Sequence, residues 1–164
     1  MKTKCYIFLT LFFLFSKVCH AQDDKIYNTL RKAIKLNEKA FNSDEFYEKG
    51  YALSISLGVN NKGKIDTIII SQKDNKELNK LFDFEKIIST VKADKQSFKP
   101  YKNEFIILLV ILMRGDDFIK LNNGNQLLSQ WLAIAATASE NEKTNRKQLF
   151  LSPIIIHSRG KKLN

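Results

Sequence analysis

The stretch Tyr51–Val59 constrains this chain more than any other. Tyr51, Leu53, Ile55, Leu57 and Val59 alternate with Ala52, Ser54, Ser56 and Gly58. Successive side chains of a strand point to opposite faces, so one face here is large and apolar and the other is small. Asn60-Asn61-Lys62-Gly63 follows. Asn and Gly accept the positive φ of a tight hairpin turn, so the chain reverses there. Lys64–Ser71 is the return strand, and its Ile65, Ile68, Ile69 and Ile70 suit a pleated, half-buried surface. A lone hairpin cannot hold itself together in water, so other elements must cover its apolar face.

The flanking segments supply them. Asp23 to about Phe41 predicts a helix, with Ile26, Leu30, Ile34 and Phe41 on one face and Asp23-Asp24 at the positive end of its dipole. A second helix is expected from Asp74, with Glu77 completing a capping box. It continues through Leu78, Leu81, Phe82, Ile88 and Val91 to about Asp94. Phe105–Met113 is unbroken apolar sequence and reads as a central strand covered on both faces. Gln126–Ser139 predicts a third helix, apolar on most sides, which is therefore buried or covered by a partner. Its Trp131 belongs to the core or plugs a partner's groove. Leu149–His157 is a last strand, at an edge or bulge because Pro153 has no N–H to give. The fold class is α+β: helix, β-hairpin, helix, strand, helix, strand, with a sheet of about four strands packed by helices. No linker divides it, so residues 22–164 form one domain.

Residues 1–21 stand apart. Lys2 and Lys4 precede the apolar run Tyr6–Phe15, interrupted by Thr10, and Cys19-His20-Ala21 places small residues where signal peptidase requires them. A cleavable leader with a cut after Ala21 is expected, and a periplasmic or secreted protein with no transmembrane span after its removal. The alternatives are an uncleaved anchor, disfavoured by the shortness of the apolar run, and an acylated Cys19, disfavoured by Lys17 and Val18 before it. Cleavage removes Lys2, Lys4 and Lys17 from the 27 basic residues and none of the 17 acidic ones, so the charge falls from +10 to +7. It also removes Cys5 and Cys19, leaving no disulfide, thiolate metal site or cysteine nucleophile. The remaining lysines are scattered, with a dense patch only at Arg159-Gly160-Lys161-Lys162, which describes a solvated surface and no nucleic-acid partner.

Chemistry has little to work with. His157 is the one histidine left, too few for zinc, and no Gly-x-Ser-x-Gly elbow places a serine beside it. Asp116-Asp117 reads as a solvated turn before a cation site or a carboxylate pair. Gly63 and Gly124 are isolated turn glycines, not a phosphate cradle. No catalytic, metal or cofactor residue is assigned, and no cofactor is expected.

Residues 49–113 carry a resemblance. Asn61-Lys62-Gly63-Lys64-Ile65-Asp66-Thr67-Ile68-Ile69-Ile70-Ser71, the helix from Asp74 to Val91, Phe98-Lys99-Pro100 and the strand from Phe105 resemble the C-terminal domain of TonB. They are still more similar to small TonB-C-terminal-like proteins exported by Bacteroidetes. The chain departs from TonB itself in its cleavable leader and in having only two prolines, Pro100 and Pro153. Tyr101-Lys102-Asn103-Glu104 also stands where the family has a glycine before its last strand. The resemblance implies a non-enzymatic envelope module that binds protein, by pairing a strand edge with its partner. Lys64, Asp66, Ile68 and Ile70 on the return strand, with Trp131, are the candidate contacts. The competing readings are a pocket for an apolar small molecule or lipid between the sheet and the Trp131 helix, and, more remotely, a small hydrolase.

Overall fold

In a computed structural model the described residues are 24–115, 123–142 and 146–159. The leader with Cys5 and Cys19, the pair Asp116-Asp117 and the tail residues Lys161 and Lys162 lie outside them.

Two long strands, β1 (Lys49–Val59) and β3 (Glu104–Arg114), form the middle of the sheet. They pair antiparallel from Lys49↔Arg114 to Gly58↔Phe105. β2 (Ile65–Ile70) is the hairpin return on the other side of β1, paired antiparallel from Ile55↔Ile70 to Val59↔Ile65. Beyond β3 lie β4 (Lys147–Phe150) and β5 (Ile154–Ser158), both parallel to it. The sheet is therefore mixed and five-stranded, in the order β2-β1-β3, with β4 and β5 following one another along the far side of β3. Ile107 pairs with Phe150 and Val110 with Ile154, so three steps on β3 face four on its neighbour. The extra residue sits at Leu151-Ser152-Pro153, where proline cannot join a ladder. Leu151 keeps the connection, donating its N–H to the Ile107 carbonyl at 2.9 Å.

The large face of β1 meets Ile106, Leu108, Val110 and Leu112 of β3, all buried. Over this face lie α1 (residues 24–33), α3 (Lys76–Leu81) and α4 (Phe84–Ala93), which add Ile26, Leu30, Leu78, Leu81, Ile87 and Val91 to one core. Burying one such side chain stabilises by about 1.5–3 kcal/mol.

Both long helices expected on this face are interrupted, and the two breaks meet. After residue 33, Leu36 forms an isolated antiparallel bridge with Phe82. Asn37 donates its N–H to the Leu81 carbonyl at 2.9 Å, and its Oδ1 accepts from Ala40 to cap a new short helix, α2 (Glu38–Phe41). The second helix starts one residue later than expected. Asn75, not Asp74, is the N-cap, accepting from Glu77 and Leu78. It ends at Leu81, and Asp83 caps α4 afresh by accepting from Lys86 at 2.9 Å. Helical apolar spacing persists across each break because both segments pack on the same core. The caps and the Leu36–Phe82 bridge decide where the backbone turns.

The hairpin turn is tied by Asn60, whose Oδ1 accepts from the N–H groups of Lys62 and Lys64 at 2.9 and 3.0 Å. Gly63 has φ +73°, and a Cβ there would lie 2.9 Å from Lys99 Cα. Gly63→Ala is expected to cost about 1–3 kcal/mol, combining left-handed strain with backbone crowding. Urea unfolding of the two proteins side by side checks this; equal midpoints would mean that the turn relaxes freely.

Candidate partner interface along one flank of β1

In an antiparallel ladder, alternate residues turn their backbone groups to opposite sides. On β1 the even-numbered residues turn theirs away from β3. β2 takes those of Ser56 and Gly58. Ser71 extends the match by one position, donating its N–H to Ser54 O at 3.1 Å and accepting from Ser54 N–H through Oγ at 2.9 Å. Past that point the chain leaves the sheet for α3, and on this side Gly50 and Ala52 have no strand beside them among the described residues.

Asn123, just before helix α5 (Gly124–Glu142), and Gln130 within it fill the gap with side-chain amides. Gly50 N–H donates to Asn123 Oδ1 at 2.9 Å, and Asn123 Nδ2 donates back to Gly50 O at 2.7 Å. A carboxamide carries the same acceptor and donor as a peptide group, so Asn123 serves Gly50 as a ladder neighbour would. Ala52 N–H donates to Gln130 Oε1 at 2.8 Å. Asn123, Gln126, Gln130 and Ile134 recur at three and four residues and so share one helical face. Ala52, Ser54 and Ser56 are small enough for the helix to come close, and they are buried. On the other side of α5, Leu128 is 60 % exposed, Trp131 39 % and Leu132 64 %.

The contact is not fully satisfied. Ser54 Oγ, Ser56 Oγ and Gln130 Nε2 are buried and meet no hydrogen-bond partner among the described residues. Each such group costs about 1–3 kcal/mol.

Glu77 anchors the start of α5. It accepts from Lys49 Nζ at 2.8 Å, Tyr51 OH at 3.0 Å and Gln126 Nε2 at 2.9 Å. Burial alone raises the carboxyl's pKa, but these donors outweigh it and hold the group below the usual carboxylate range. Burial, reinforced by the Glu77 charge, pushes the Tyr51 phenol well above its ordinary value.

At the opposite end of the flank the hairpin carries a bulge. Gly58 pairs with Thr67 and Val59 with Ile65, which leaves Asp66 as the extra residue. Arg146 grips it with a two-pronged contact, Nη1 to Oδ1 at 2.8 Å and Nη2 to Oδ2 at 2.7 Å. The guanidinium lies over the Phe105 ring at 5.2 Å. A Cβ on Gly58 would stand 2.7 Å from Arg146 Nη1, so the clamp crosses the sheet where β1 has no side chain.

The residues singled out from the sequence therefore have distinct situations. Lys64 is exposed at the turn. Asp66 is taken by Arg146. Ile70 is buried in the core and Ile68 packs half-buried against it, so β2 offers its outer backbone edge more than its side chains. Trp131 stands on the open face of α5, not in the core. The structure does bring β2 and α5 onto the same flank of β1, end to end. His157 Nε2 lies 3.1 Å from Gly115 O, and Ser158 Oγ donates to Asn42 at 3.0 Å, contacts that tie the end of β5. Sequence reasoning passed over Asn123, Gln126, Gln130 and Arg146. The amides at 123, 126 and 130 form a polar stripe on an apolar helix, and that spacing was the available signal. Among the described residues no three potential metal ligands gather, and no helix is long and apolar enough to cross a membrane. The chain matches no family model, no curated protein and no solved structure.

Two outcomes are expected from this geometry. A carboxylate held below its unfolded pKa contributes stability above that value and loses it as pH falls through the folded one. Glu77→Gln should therefore be less stable than wild type by about 1–2 kcal/mol at pH 7, and the gap should narrow as pH falls below the carboxyl's ordinary value. Denaturation across pH 3–8 reads it; a gap independent of pH would remove the charge from the explanation. Ser56→Ala should hold or gain stability, since it deletes a buried hydroxyl that meets no partner. A loss above about 1 kcal/mol in the same assay would show that the hydroxyl is satisfied.

Proposed function

We propose that this protein is an exported, non-enzymatic protein-binding module of the cell envelope, similar to the C-terminal domain of TonB. It takes its partner along the flank of β1 that carries β2 and α5. The observation behind this reading is the exposed stripe Leu128, Trp131 and Leu132, standing on the same flank as the terminal strand of the sheet. A tryptophan between two leucines is the kind of anchor that carries most of an interface's energy once a partner desolvates it. An outer strand adds main-chain hydrogen bonds to an extended segment, giving affinity that does not depend on the partner's side chains. The leader pattern of residues 1–21 supports export. The apolar-ligand alternative has less to draw on, because α5 meets β1 through a hydrogen bond from Ala52 to Gln130, and the neighbouring Ser54 and Ser56 are small and polar.

Site-specific photocrosslinking in cells tests the reading. A crosslinker at Lys64 or Trp131 should trap one and the same envelope protein, and one at Lys86 on α4 should not. Leu128→Glu with Leu132→Glu should abolish the Lys64 crosslink while leaving the fold intact by circular dichroism. Different proteins trapped at Lys64 and Trp131, or none, would overturn the shared flank.

A further inference from the structure

We infer that the Lys49–Leu53 edge of β1 is a second, covered strand-docking site: α5 occupies it in the free protein, and an extended peptide takes it over. The inference deepens the binding role proposed above and rests on it for the partner, although its first test does not.

The occupant of the edge identifies its natural ligand. Gly50 N–H and O and Ala52 N–H are ladder positions, continuous with the Ser54 position that Ser71 fills. What satisfies them is not backbone but the carboxamides of Asn123 and Gln130 on a helix. Those amides imitate a peptide group, and a strand carries the real one at each position. β2 already lies on this side of β1, so an incoming segment would prolong the same line by about 16 Å over five residues.

The cover is built to come off. Beneath it, Gln130 Nε2 is buried without a partner among the described residues, and release of α5 lets it be hydrated. Above it, Leu128, Trp131 and Leu132 face outward, so docking on β1 leaves the helix's apolar stripe unburied. A partner can hold this stripe whether α5 is docked or released, so release does not forfeit that contact.

The slot also has a chemical preference. When α5 leaves, Glu77 loses the Gln126 donor but keeps Lys49 and Tyr51. A peptide residue reaching Glu77 with a hydrogen-bond donor, Lys, Arg, Asn or Gln, restores the third contact. The opposite face of the slot is lined by Gly50, Ala52 and Ser54, which leaves room for a bulky peptide side chain where α5 had been.

Amide hydrogen exchange on the full-length chain, resolved by residue, tests the cover directly. Tyr51 and Leu53 turn their N–H groups to β3, whereas Gly50 and Ala52 give theirs to α5. Gly50 and Ala52 should exchange about tenfold or more faster than Tyr51 and Leu53, through an opening that releases α5 alone. Asn123→Ala with Gln130→Ala should widen that gap. The docking half uses a capped synthetic peptide of this chain's own Lys64–Ser71 as probe. It should slow exchange at Gly50 and Ala52 in the double-alanine variant, and do so less in the wild-type chain, where Asn123 and Gln130 compete for the same positions. Equal exchange at all four amides would overturn the cover, whatever the crosslinking finds. Fast exchange that the peptide does not slow would overturn the docking site.

Discussion

The structure depends on one requirement, that every backbone group of a buried strand find a partner. β1 is the strand on which the requirement falls hardest. It is eleven residues long and buried along almost all of it. β3 answers one side of it in full. The other side is shared between β2, one serine and a helix, and the placement of α5 follows from that division. Through Asn123 and Gln130 the helix stands in for the missing part of a strand. Its polar stripe is consumed in doing so, and its apolar stripe is left facing outward.

The polar residues of this flank work as connectors between elements remote in sequence. Glu77 of α3 gathers Lys49 and Tyr51 of β1 and Gln126 of α5. Arg146, just before β4, reaches across Phe105 and Gly58 to Asp66 of β2. Arg114 at the end of β3 is buried, donates to the Ser43 carbonyl and lies 5.7 Å from the Tyr47 ring, joining the sheet to the α2–β1 connection. Each sits at an end of the sheet, where the apolar core thins and directional contacts set the geometry.

How much of this could be read from the sequence varied with the range of the interaction. The hairpin was legible because its determinants are local: alternation over Tyr51–Val59, then Asn60 and Gly63 in the turn. The central strand and the break at Pro153 were legible for the same reason. The two helix interruptions were not, because Leu36 and Phe82 make a bridge across 46 positions that neither segment reveals alone. The choice of Asn75 over Asp74 as cap turned on one residue of backbone phase. Trp131 reads from composition as core or partner contact, since most of the helix residues around it are apolar. Which side of the helix faces β1 was settled by Asn123 and Gln130, whose targets are backbone groups with no sequence signature. Asp66 reads from the sequence as a candidate partner contact, but the residue that takes it, Arg146, lies 80 positions away.

The bulge at Leu151–Pro153 bears on how many partners the sheet can take. A sheet with two regular open edges can be extended from both, and each added copy presents a new edge to the next, which is how fibres grow. Here the far side of β3 ends in a kinked line of two short strands with a proline at the join, a poor template for further pairing. Growth is then confined to the β2 side. A sheet extended from one side only cannot grow in both directions, so pairing between copies would stop short of an open-ended stack.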